Sequence, residues 1–126
     1  MRKNTTVAFA AWEACKTANP SQAIRSDGVS IWSYATCLVA YDAQTDGVIL
    51  NVTKYSQTTT QQQNGLRLLL QRSGYGIIEV DGLDRGVTPE DLRRAARPLF
   101  EVVAEYVITA DEIEADYADH RLGYPA

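Results

Sequence analysis

Between Lys54 and Arg67 the chain reads KYSQTTTQQQNGLR, a run dense in groups that bind anions. Hydroxyls come from Tyr55, Thr58, Thr59 and Thr60, amides from Gln62 and Asn64, and positive charge from Lys54 and Arg67. The run joins a strand end to a helix start, where free backbone N–H groups and the positive end of the helix dipole favour negative charge. Such a set can cradle a phosphate, a nucleotide or a peptide backbone. The same hydroxyls can also serve only to cap the helix and stiffen the corner. Both readings stand at this point. Tyr34 and Trp32 fall on one face of a strand, where aromatic rings can stack on bases or pack on helices, with Trp32 expected in the core. Arg93, Arg94 and Arg97 lie off an apolar helical stripe, as a phosphate-contacting patch or as a solvated face.

Other chemistries find little to work with. The single histidine, His120, sits near the C-terminus between Asp119 and Arg121. Nucleophilic catalysis needs an imidazole held rigidly beside its nucleophile. Gly74-Tyr75-Gly76 lacks a third glycine and precedes a strand, so it reads as a helix stop rather than a phosphate loop. Asp81, Asp84 and Gly86 lack calcium-loop spacing. Glu79 is expected as an exposed partner for an arginine rather than an inward-facing acid. No catalytic residue, metal site or cofactor is expected, and a binding protein is favoured over an enzyme.

The elements that position these residues follow from periodicity. A helix is expected from about Val7 to Lys16, capped by Asn4, Thr5 or Thr6. Asn19-Pro20-Ser21 ends it and Asp27-Gly28 turns the chain. Two strands, Val29 to Tyr41 and Val48 to Tyr55, pair as an antiparallel hairpin across the loop from Asp42 to Gly47. A second helix spans about Gln61 to Arg72, with Leu66, Leu69 and Leu70 buried and a stop at Ser73-Gly74. A short strand covers Gly76 to Val80. From Thr88 the chain is helical, opened by Thr88-Pro89-Glu90-Asp91. An unbroken helix from Pro89 to Ala118 would span about 45 Å, against a domain roughly 35 Å across. A break at Pro98 or Thr109 is expected, with dimerisation through the C-terminal helices as the alternative.

The expected fold is therefore α+β: a small antiparallel sheet of one central hairpin plus one short strand. N-terminal, middle and C-terminal helices pack on it, those from both ends covering one face. With 126 residues, 45% of them hydrophobic, the chain suits one domain with its own core. No apolar run approaches the roughly 20 residues of a membrane span. The start of the chain does not read as a signal peptide, so a soluble cytoplasmic protein is expected. Cys15 and Cys37 form no metal-binding or redox pattern and read as small buried apolar residues. A net charge of −4 argues against a general duplex-DNA binder. The acidic run Asp111, Glu112, Glu114, Asp116 and Asp119 could imitate a row of phosphates.

The region from about Phe9 to Leu70 resembles a family of short, uncharacterised proteins of bacteriophages and related mobile elements. The resemblance rests on Phe9-Ala10-Ala11-Trp12, Ala18-Asn19, Ser26-Asp27-Gly28 and Ile31-Trp32-Ser33-Tyr34-Ala35-Thr36. It continues through Leu38-Val39-Ala40, Asn51-Val52-Thr53-Lys54-Tyr55-Ser56, Thr58-Thr59-Thr60 and Gln63-Asn64-Gly65-Leu66. Relatives often carry a glycine after the first aromatic and a histidine near Gln62; here Glu13-Ala14 and Gln62 stand there. No catalytic residue transfers. The resemblance implies a genomic setting of small accessory proteins, inhibitors of host defence among them. The expected function is thus a non-enzymatic accessory protein that binds and blocks a host protein. Binding a nucleotide or single-stranded nucleic acid is the alternative, and an enzyme with an unrecognised carboxylate site comes last.

Overall fold

Helix α1 (Lys3–Glu13) opens the chain and five antiparallel strands follow it: β1 (Thr17–Ser21), β2 (Ile24–Asp27), β3 (Ser30–Ser33), β4 (Thr36–Asp42) and β5 (Gly47–Asn51). Helix α2 (Gln57–Arg72) then carries the chain across to β6 (Ile77–Val80), which pairs parallel with β5. A parallel neighbour requires such a crossover, whereas antiparallel neighbours need only turns. A further helix, α3, occupies residues 89–99. The computed structural model describes residues 2–99. Met1–Ala96 form one compact unit and Arg97–Ala126 a second; the core and the candidate site lie in the first. The fold is α+β, with helices packed on a mostly antiparallel sheet of six strands in chain order.

The sheet is larger than the sequence suggests because one expected strand is two. The run from Val29 to Tyr41 folds back at Tyr34-Ala35, so that β3 pairs with β4. A bulge opposite Ile31 and Trp32 lets the adjacent Leu38 and Val39 both join one core cluster. β1 and β2 occupy the stretch read as helix stop and turn. Pro20 is tolerated there because β1 is an edge strand. Gly28 joins β2 to β3 at φ +90°, and a Cβ there would lie 3.2 Å from the Cys15 carbonyl oxygen. The β4–β5 hairpin forms as expected, Asp42 opposite Gly47 and Tyr41 opposite Val48.

Helices α1 and α2 cover one face of the sheet. Ala8, Phe9 and Trp12 meet Ile24, Ile31, Leu38, Val39, Val48, Leu50, Leu66 and Leu70. Full burial of one such aliphatic or aromatic side chain stabilises the fold by about 1.5–3 kcal/mol. Trp12 donates its indole N–H to the Val29 carbonyl at 3.0 Å and packs against Phe9 and Tyr75. Helix α1 begins four residues before the expected Val7, with Arg2 as an N-cap that makes no side-chain capping bond. Thr5 is buried inside the helix instead. Strand alternation turns Ala40 and Ile49 to the opposite face, where they are buried. Leu92 and Ala96 of α3 are buried too, outside the cluster that α1 and α2 cover.

Helix α2 also begins early, at Gln57, with Ser56 as its cap. Its stop is as read: Gly74 at φ +79°, with the Tyr75 amide bonded to the Leu70 carbonyl. Helix α3 starts with the expected reciprocal cap. The Asp91 amide donates to Thr88 Oγ1, and the Thr88 amide donates to the Asp91 carboxylate. It is helical through Pro98 to Leu99. The expected break at Thr109, the acidic run, His120 and pairing through the C-terminal helices lie outside the described residues. No described helix is long and apolar enough to cross a membrane. Cys37 is buried as expected, but Cys15 is exposed just past α1.

Candidate functional site

Three segments converge on a cleft of about 420 Å³. The β3–β4 turn contributes Ser33, Tyr34 and Thr36, and the corner before α2 contributes Tyr55 and Ser56. Thr59 of α2 and Arg85-Gly86, between β6 and α3, complete the lining. Buried polar groups set this corner. Asn51 closes β5 fully buried, and its side-chain amide donates to the Cys37 carbonyl and to the Tyr55 hydroxyl. Tyr55 in turn donates to the Asp84 carbonyl at 2.9 Å, which draws the 81–88 segment in. The Gly86 amide donates to Thr36 Oγ1 and the Cys37 amide to the Val87 carbonyl, fixing that segment to the start of β4. Gln63, also buried, donates to the carbonyls of Asn51 and Thr53 and locks α2 to the end of β5.

The cleft is rich in donors. At the head of α2, Ser56 Oγ accepts the Thr59 amide, and the Thr60 amide begins the helical ladder. The amides of Gln57 and Thr58 have no partner among the described residues, as expected in a first helical turn, though neither residue lines the cleft. The first turn holds no acidic residue to offset its positive end. Arg85 donates to the Tyr55 carbonyl at 3.1 Å and makes no ion pair among the described residues. Ser33 is only 3% exposed, and its Oγ is buried without a hydrogen-bond partner among the described residues. Among the described residues Gln62 Oε1 is also buried and unpartnered, but Gln62 does not line this cleft. A guanidinium and hydroxyls lining a hollow beside a helix start suit an anionic oxygen ligand.

No family model, curated protein or solved structure matches the chain. The chemistry of the cleft therefore rests on its own residues.

Of the residues singled out in the sequence, Tyr34, Tyr55 and Thr59 line the cleft. Thr58 and Thr60 lie in the first turn of α2, and Thr60 bonds back to the Ser56 carbonyl, so the threonine cluster starts the helix rather than preceding it. Lys54 is exposed and does not line the cleft. Gln62 points inward and donates to the Ala23 carbonyl at 2.7 Å. Asn64 accepts from Arg67, which is paired with Glu79, the partner expected for that acid. Arg93 pairs with Glu90 and reaches the Tyr41 carbonyl, Arg94 pairs with Asp91, and Arg97 is exposed on α3. These four arginines do not join the cleft. Nor do Trp32 and Tyr34 share a strand face. Trp32 is half-buried, donating to Asp27 beneath the Arg25 guanidinium, whereas Tyr34 stands in the turn.

Ser33, Thr36 and Arg85 are among the lining residues that sequence reasoning missed. Arg85 had one legible signal, a lone cation in a glycine-bounded turn directly before a helix start. The serine and threonine had none, because their place depends on a turn hidden inside one β-rich run.

Proposed function

We propose that this chain is a non-enzymatic binding protein whose cleft takes a small ligand bearing a phosphate group. The observation that carries this is Arg85, a cation without a carboxylate partner among the described residues, in one cleft with Ser56 and Thr59 at the start of α2. Its volume lies within the range of small-molecule sites. Nothing in the lining forms a nucleophile–base pair, which supports binding over turnover. In the genomic setting implied by the family resemblance, capture of such a ligand would deprive a host factor that depends on it.

Direct blocking of a host protein is less well supported. The exposed large apolar side chains, Val7, Val29, Tyr34, Tyr41, Leu68, Tyr75 and Leu99, fall one to each element or turn. Singly exposed apolar residues are ordinary on a protein surface.

Calorimetric titration with ribose 5-phosphate tests the proposal. Saturable binding is expected, weakened at least tenfold by Arg85→Gln with the melting temperature retained. Absence of binding at millimolar ligand, or unchanged affinity in Arg85→Gln, would overturn it.

A further inference from the structure

We infer that Tyr34 is a stacking platform for a planar ring, which makes the ligand of the cleft a mononucleotide. This rests on the phosphate reading above and extends it to the rest of the ligand.

Tyr34 is 59% exposed at the rim of the cleft, and its hydroxyl has no hydrogen-bond partner among the described residues. Its backbone is left-handed at φ +52°, a conformation that side-chain-bearing residues hold only at a cost. Both backbone polar groups of the residue are tied down. The Tyr34 amide donates to the Gln22 carbonyl at 3.0 Å, and the Tyr34 carbonyl accepts from the Arg25 guanidinium at 3.0 Å. That guanidinium is held in turn, 5.2 Å from the centre of the Trp32 ring, while Trp32 donates its indole N–H to Asp27. A glycine or asparagine would meet the turn's needs more cheaply. Instead an aromatic ring is kept in the open by a backbone fixed on both sides.

An open ring and an anion subsite in one cleft suit a ligand with a planar base at one end and a phosphate at the other. Aromatic stacking uses the π-face that every base presents, so the platform tolerates any base. A single cleft-lining cation among the described residues, on a chain of net charge −4, suits a mononucleotide better than a strand, whose many phosphates need many cations.

The test compares ligands on the full-length chain by calorimetry: ribose 5-phosphate, AMP, UMP and a hexathymidylate. AMP and UMP are expected to bind at least tenfold more tightly than ribose 5-phosphate. Tyr34→Gly is the informative variant, because glycine adopts the left-handed turn without strain while the ring is removed. It should bring the ratio of AMP to ribose 5-phosphate affinity close to one, and Tyr34→Phe should restore it. Equal affinities in the unaltered protein, or an undiminished ratio in Tyr34→Gly, would refute the platform while leaving the phosphate site standing. Failure of all four ligands to bind would remove both readings together. A hexathymidylate that binds more tightly than either mononucleotide would overturn this inference in favour of a strand.

Discussion

Arg67 Nε lies 2.6 Å from the Glu79 carboxylate, tying the middle of α2 to the last strand of the sheet. The arginine also donates to Asn64 Oδ1 one turn earlier. This pair removes from the anion-binding set a cation that the sequence places beside the threonine cluster, and it gives Glu79 a structural role. Both side chains are partly exposed, and exposed ion pairs contribute about 0–1 kcal/mol. Glu79→Gln and Arg67→Ala should each lower unfolding stability in urea by no more than about 1 kcal/mol. Affinity for ribose 5-phosphate should be unchanged in both. A loss of binding in Arg67→Ala would extend the site along α2 and contradict a purely structural role for the pair.

The neighbours Gln62 and Gln63 are both buried on α2, yet they should answer substitution differently. Gln63 serves two buried carbonyls, those of Asn51 and Thr53, each at 2.8 Å. Gln63→Leu strands both acceptors and should cost about 2–4 kcal/mol, since an unsatisfied buried polar group costs about 1–3 kcal/mol. Gln62 donates once, to Ala23, and its Oε1 has no partner among the described residues. Gln62→Leu removes that orphan along with the single bond, so its cost should be nearer 1 kcal/mol. Equal losses in chemical denaturation would show that burial alone, rather than bond accounting, governs this helix.

Asp27 predicts an acid-sensitive turn. Partial burial by itself pushes its carboxyl up. The Trp32 indole, the amides of Val29 and Ser30 and the charge of Arg25 together outweigh that and hold it below its ordinary value. A carboxyl depressed in the folded state contributes stability at neutral pH that is lost as pH falls below its unfolded value, near 4. The melting temperature of the unaltered protein should therefore drop further between pH 5 and pH 3, as such windows go, than that of Asp27→Asn. Parallel acid limbs for the two proteins would assign the loss to other carboxylates, such as Asp91, whose bonds to Thr88 depress it too.

Much of this architecture is legible in local chemistry. Thr88-Pro89-Glu90-Asp91 announces α3, Ser73-Gly74 ends α2, and the 42–47 loop closes the β4–β5 hairpin. The failures in the sheet share one physical cause: β-rich composition does not say where a strand turns. Tyr34 bends the chain in the middle of an apolar run because Gln22 and Arg25, on another segment, hold it. Pro20 looks like a breaker but lies in an edge strand, where a missing N–H costs nothing. The cleft was half visible for the same reason. Tyr55 and Thr59 lie near a recognisable helix start, whereas Ser33 and Arg85 reach it only through contacts distant in sequence.

The two cysteines offer a direct check on the packing of the first unit. Cys15 is exposed in a left-handed conformation just after α1, while Cys37 is fully buried in β4. Burial, reinforced by the nearby Asp27 charge, pushes the Cys37 thiol up to about 12. Thiolate is the reactive form, so at pH 8 Cys37 is protected both by exclusion of reagent and by its protonation. An aromatic disulfide reagent should therefore titrate one thiol per chain in native buffer and two in denaturant. Cys15→Ser should abolish the native reaction, whereas Cys37→Ser should leave it in place and instead loosen the sheet. Fast labelling of Cys37 in the folded protein would mean that β4 opens readily. A cleft built on the Cys37 amide and carbonyl could not then be preorganised for its ligand.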